Sequence, residues 1–114
     1  MNYNMPELFN VIYSLLKAVE NHVDEEYMTQ EFQDSFMIMS EIEDNYLGEK
    51  QQQQNVFDQL SNFIMIIERD VKQIPNELQK TINEADNFLN DFYYDKIKIQ
   101  QNDILLFNKE YKRI

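Results

Sequence analysis

Apolar residues recur at intervals of three and four along four stretches of this chain, and the pattern lapses between them. Met5, Leu8, Ile12, Leu15, Val19 and Val23 make the first stripe. At 3.6 residues per turn such spacing gathers the apolar side chains on one face, so it predicts an amphipathic helix. A second stripe runs through Phe32, Phe36, Met39, Ile42 and Tyr46. The third, Val56, Leu60, Phe63, Ile67, Val71 and Ile74, is widened by the run Ile64-Met65-Ile66-Ile67. That widening predicts the most buried helix of the set. The fourth, Leu78, Ile82, Ala85, Leu89 and Phe92, shifts phase around Tyr93-Tyr94 and resumes as Ile97, Ile104, Phe107 and Tyr111. Ile97-Lys98-Ile99 alternates like a strand, but a run that short is weak against a helical context.

The breaks between stripes are of three kinds. Glu26 and Thr29 fall where the first stripe would continue, so His22 to Glu26 is either a loop or a place where one long helix changes its buried face; a break is the favoured reading, with Asp24 as the N-cap of the next helix. Gly48 is the only glycine in 114 residues, and Asn45-Tyr46-Leu47-Gly48-Glu49 is the expected reversal near the middle, because glycine frees the backbone to leave a regular element. The polar run Glu49 to Asn55 that follows reads as the exposed start of a helix. Pro75 either opens a new helix or kinks a continuous one, since it lacks an amide donor and clashes with the preceding turn. Glu77 suits a first helical turn. The expectation is an all-α single domain, 1–114, folded as a three- or four-helix antiparallel bundle with helices over 5–23, 28–46, 52–73 and 75–111. The expected core draws on Leu8, Ile12, Leu15, Phe32, Phe36, Met39, Leu60, Phe63, Ile67, Leu78, Ile82, Leu89 and Phe92.

Charge sharpens this picture. Residues 1–95 carry 19 acidic and 5 basic side chains, a formal −14, while residues 96–114 carry 2 acidic and 5 basic, a formal +3. An acidic body repels nucleic acid and anionic membrane. Neither is expected as a direct partner, although Tyr93 to Lys98 has a basic, aromatic character. There is no cysteine, which excludes disulfides and thiolate metal sites. No apolar run reaches the roughly 20 residues that span a bilayer. The segment Met1 to Glu7 has no basic stretch followed by an apolar one. A soluble, cytoplasmic protein is expected, with export without a cleavable signal peptide as the alternative.

Candidate chemistry is sparse. His22 is the only histidine, and at the end of the first helix its expected role is to meet the negative helix terminus. Ser14, Ser35, Ser40 and Ser61 stand in no nucleophile motif. A di-iron bundle needs Glu-x-x-His on two helices, and Val19 occupies the position three before His22. Asp44 to Gly48 fails the calcium-loop pattern. Glu31-x-x-Asp34 and Glu41-x-x-Asp44 resemble the magnesium-binding pairs of all-helical nucleotide pyrophosphatases, but both pairs lie on one short helix and the first departs from the Glu-x-x-Glu pattern. No enzyme activity, cofactor or metal is expected.

The turn Tyr46-Leu47-Gly48, the length and the missing signal resemble the WxG-type proteins of type VII secretion. The resemblance implies a helical hairpin that pairs with a second helical protein and is exported. Tyr46 stands in place of the family's Trp. The family's Tyr-x-x-x-Asp/Glu export signal is not matched, since Lys98 follows Tyr94 and Ile97 follows Tyr93 at that spacing.

The favoured function is non-catalytic. The chain is read as an acidic inhibitor or immunity-type protein that blocks a basic surface of a protein partner, such as a nucleic-acid-handling enzyme. Candidate contacts are the clusters Asp24, Glu25, Glu26 and Glu41, Glu43, Asp44, with Tyr93 and Tyr94 as aromatic contacts, Tyr being enriched at interfaces. Met28, Met37 and Tyr94 are expected at the surface, and self-association into a homodimer remains open.

Overall fold

The computed structural model describes the backbone of residues 4–45 and 53–111, and the side chains of residues 4–45 and 53–94. Each predicted stripe becomes a helix: α1 Met5–His22, α2 Gln30–Asp44, α3 Gln53–Asp70 and α4 Asn76–Tyr111. The architecture is an all-α bundle of four packed helices, with no strand among the described residues. The segment 97–99, which alternates in sequence, is helical.

Local signals explain where the helices begin. Asn4 accepts a hydrogen bond from the Glu7 amide at 3.1 Å, and Pro6 lies in the first turn of α1, where its missing donor is no loss. The chain breaks after His22 as expected, but Asp24 does not cap α2. It precedes a single 3₁₀ turn, Glu25–Tyr27, and makes no side-chain cap. Thr29 caps α2 instead, its Oγ1 accepting from the Phe32 amide at 3.1 Å. Pro75 ends the ambiguity at the third corner by breaking the chain: α4 starts one residue later, and the Pro75 carbonyl accepts from the Gln79 amide at 2.9 Å. The expected reversal at Tyr46-Leu47-Gly48 lies outside the described residues.

Consecutive helices pack side by side, and α4 closes the ring against α1. Contacts between ends give the directions. Thr29 at the start of α2 reaches Asp70 at the end of α3, and His22 at the end of α1 reaches Glu77 at the start of α4. Neighbours are therefore antiparallel.

The core lies along the axis of the ring. All the expected core residues are buried except Phe36 and Phe92, which are half-buried and pack against it. Phe32 and Phe36 both set their ring edges against Phe63, at centroid distances of 5.8 and 6.1 Å, the geometry that ring quadrupoles favour. Phe57 stacks on Phe92 at 4.1 Å. The expectation that α3 is the most buried helix needs correcting. α1 buries as broad a face, adding Phe9, Val11, Leu16 and Ala18 to its stripe, while Met65 in the apolar run of α3 is 65% exposed. A run of four apolar residues must wrap past the core face, because successive residues turn by about 100°.

Helix α4 has 36 residues, twice the 18 of α3. At 1.5 Å per residue it is about 54 Å long against about 27 Å. Phe92 of α4 lies beside Phe57 of α3, only four residues from the start of that helix. The helical backbone of α4 therefore runs roughly 20 Å past the start of α3. No helix among the described residues is long and apolar enough to cross a membrane.

Candidate functional site

Two sets of acidic side chains mark the two ends of α2. Asp24, Glu25 and Glu26 sit in the turn before it, and Glu41, Glu43 and Asp44 fill its last turn. Fifteen helical residues place the sets about 22 Å apart. Both fit within a protein interface of ordinary size, and what distinguishes them is their surroundings.

The first set rims an open groove of about 870 Å³ where α1 turns into α2. Its inner wall is apolar: Val23, Met28 and Phe36 are half-buried, and Met37 stands at the edge, 61% exposed. Glu20 joins Asp24, Glu25 and Glu26 in lining it. The local fold explains this arrangement. Extended backbone at Val23 ends α1, and the 3₁₀ turn holds the three acids side by side through Tyr27 N–H to Asp24 O and Met28 N–H to Glu25 O, each 3.1 Å. Phe36 is fixed from behind by its edge contact with Phe63. Tyr27, in the same turn, is 78% exposed.

Electrostatics distinguish the groove from the other acidic regions. Among the described residues no basic side chain pairs with Asp24, Glu25 or Glu26. Lys17 lies 3.5 Å from Glu20, one turn away on α1. By contrast, Glu31 is held by Arg69 at 3.1 Å, and Arg69 also clasps Asp70 at 2.8 Å. The Arg69 guanidinium, helped by the Thr29 hydroxyl, holds the Asp70 carboxyl below its ordinary pKa. This cluster staples the start of α2 to the end of α3. It removes Glu31 from the magnesium-binding pair suggested by sequence, and Asp34 accepts from Gln30 at 2.8 Å.

The second acidic set lines neither groove described here. Glu41 and Asp44 are exposed and Glu43 is half-buried. Partial burial, then the hydrogen bond with Asp44, raises the Glu43 pKa.

The two tyrosines part company. Tyr93 is half-buried, and its hydroxyl donates to Asp58 across the α3–α4 seam at 2.7 Å. Burial, and then that acidic neighbour, pushes its pKa up to about 12. Tyr94 is 67% exposed. Tyr93 serves packing, and Tyr94 is free for contact. His22 closes α1 as expected, with its Nε2 2.6 Å from Glu77 Oε2 at the start of α4. A second, smaller groove of about 570 Å³ between α1 and α4 is lined by Glu7, Val11, Glu84, Asn87, Phe88 and Asp91.

Sequence reasoning identified the acids of the first groove and placed Met28 and Met37 at the surface, although Met28 is half-buried, but it did not find the rest of the apolar wall. Val23 was assigned to the core stripe and Phe36 to the core itself. No protein-family model matches the chain, and no curated protein or solved structure matches it either.

Proposed function

We propose that this chain is a non-enzymatic, acidic interaction module of the inhibitor or immunity type, which binds and covers a basic surface of a protein partner such as a nucleic-acid-handling enzyme. The observation that carries the reading is the groove at the α1–α2 corner. There Asp24, Glu25 and Glu26 stand without basic partners among the described residues, around an apolar wall open to solvent. Charged rims steer encounter and set partner choice, while a desolvated apolar centre supplies lasting contact. The acidic body, a formal −14 over residues 1–95, adds a long-range field of the same sign, which raises association rates with cationic surfaces by 10- to about 1000-fold.

The shape supports this reading over the hairpin of the type VII resemblance. The breaks at 23–29 and 71–75 each separate two helices, whereas that family implies two unbroken arms.

The test is affinity capture with the intact chain from its native cell, followed by association kinetics with the captured protein. Binding should weaken steeply between about 50 and 300 mM salt, where the screening length shortens from roughly 14 to 6 Å. Reversing Asp24, Glu25 and Glu26 to lysine should slow association at least tenfold at low salt. Salt-insensitive binding that survives this reversal would refute the proposal.

A further inference from the structure

The groove at the α1–α2 corner also constrains the form of what it takes. We infer that its occupant is a short amphipathic helix of the partner protein, with a bulky apolar residue seated between Met28, Phe36 and Met37 and lysine or arginine on its flanks. This inference rests on the proposed function and deepens it by naming the recognition element.

Three observations lead there. The wall is apolar and its edge is methionine, an unbranched and polarizable side chain that reshapes around whatever enters. At about 870 Å³ the groove lies within the range of ligand-holding clefts, large enough for an anchor residue and the turn that carries it. The rim bears formal negative charge only, so flanking cations are drawn in and flanking carboxylates repelled.

Backbone chemistry selects the helix. An extended peptide entering a groove gains its main-chain hydrogen bonds by adding to a sheet edge. The walls here are parts of two helices and one 3₁₀ turn, which offer no strand edge to add to, and no strand occurs among the described residues. A peptide lying against these walls must satisfy its own amides and carbonyls or leave them unpaired on desolvation. A helix satisfies them internally, and it presents anchors at i, i+3 and i+4 to a groove of this kind.

The test uses two synthetic 18-residue peptides of leucine and lysine with identical composition. One is ordered to give an apolar helical face, and the other is ordered so that no face forms. Their binding to the full chain is followed by fluorescence anisotropy and by circular dichroism. The ordered peptide should bind at least tenfold more tightly than its isomer and gain helicity on binding. Met37→Gln, at a position 61% exposed and so free of a folding role, should remove most of that advantage and leave the isomer unaffected. Reversing Asp24, Glu25 and Glu26 to lysine should weaken both peptides.

Equal binding of the two peptides, unaltered by Met37→Gln, would overturn the inference while leaving the charge-based function standing. Tighter binding of the ordered peptide that ignores the charge reversal would overturn the inference by removing the reading beneath it. Met37-dependent dimerisation in sedimentation, excluding the peptide, would make a second copy the occupant and overturn it too.

Discussion

Phe36 and Met37 are neighbours in sequence that line the same groove, yet they stand on opposite sides of the division between core and site. Phe36 is half-buried, its ring set edge-on to the fully buried Phe63 at a centroid distance of 6.1 Å. Truncating a fully buried phenylalanine to alanine costs about 3–5 kcal/mol. Roughly half that applies to a half-buried ring, so Phe36→Ala should cost about 1.5–2.5 kcal/mol, including the loss of the edge contact. For a domain near 100 residues this corresponds to a fall of roughly 6–15 °C in Tm. Met37, at 61% exposure, has little packing to lose, and Met37→Ala should stay within about 0.5 kcal/mol of the parent. Urea unfolding followed by circular dichroism measures both, and the m-value should stay constant if the denatured state is unchanged. Both substitutions strip apolar area from the groove, so both should weaken binding, while only one weakens the fold. The reasoning fails if Met37→Ala destabilises as much as Phe36→Ala, or if Phe36→Ala costs less than about 0.5 kcal/mol.

Three further outcomes follow from particular contacts. Thr29→Ala removes both the N-cap of α2 and the 3.1 Å bond to Asp70, and should cost about 1–2 kcal/mol by urea denaturation; an unchanged midpoint would contradict the cap. Ser35 is buried, and its hydroxyl has no hydrogen-bond partner among the described residues, so Ser35→Ala should raise stability by about 0.5–1 kcal/mol through better helix propensity and no lost bond. A loss of stability there would mean that the hydroxyl is satisfied. Burial raises the Asp86 pKa above its ordinary 3.8, so between that value and the raised one the folded state holds more protons than the unfolded state. Its penalty is fully present at neutral pH and disappears as pH falls. Asp86→Asn should therefore stabilise the chain at pH 7 and match the parent near pH 3. A gain that persists unchanged in acid would refute the burial argument.

Much of the fold was legible in the sequence, for a physical reason. Helix-period stripes register a local constraint, and all four helices fall within three residues of the positions the stripes predict, except at the end of α2, where the expected bound at Tyr46 lies outside the described residues. Caps were harder to place. Asp24 and Thr29 are both N-cap residue types, and what selects Thr29 is the Phe32 amide on one side and Asp70, forty-one positions away, on the other. The candidate site was half legible. Consecutive acids at 24–26 are visible to any reading of charge, but the apolar wall is made by the way α1 and α2 meet. Val23 and Phe36 look like core residues in a stripe, yet each is half-buried and lines the groove. Charge alone does not distinguish Glu41, Glu43 and Asp44, about 22 Å away along α2, from the first cluster; the apolar groove beside the first does.

That separation gives the central claim its most direct measurement. The intact chain, the variant with Asp24, Glu25 and Glu26 reversed to lysine, and the variant with Glu41, Glu43 and Asp44 reversed to lysine carry a matched change of charge between the two variants. Used as baits on one native extract, with retained protein quantified by mass spectrometry, they separate the groove from bulk acidity. The account predicts one basic protein held by the parent and by the second variant, and lost from the first. Equal loss from both variants, or loss from the second alone, would contradict it.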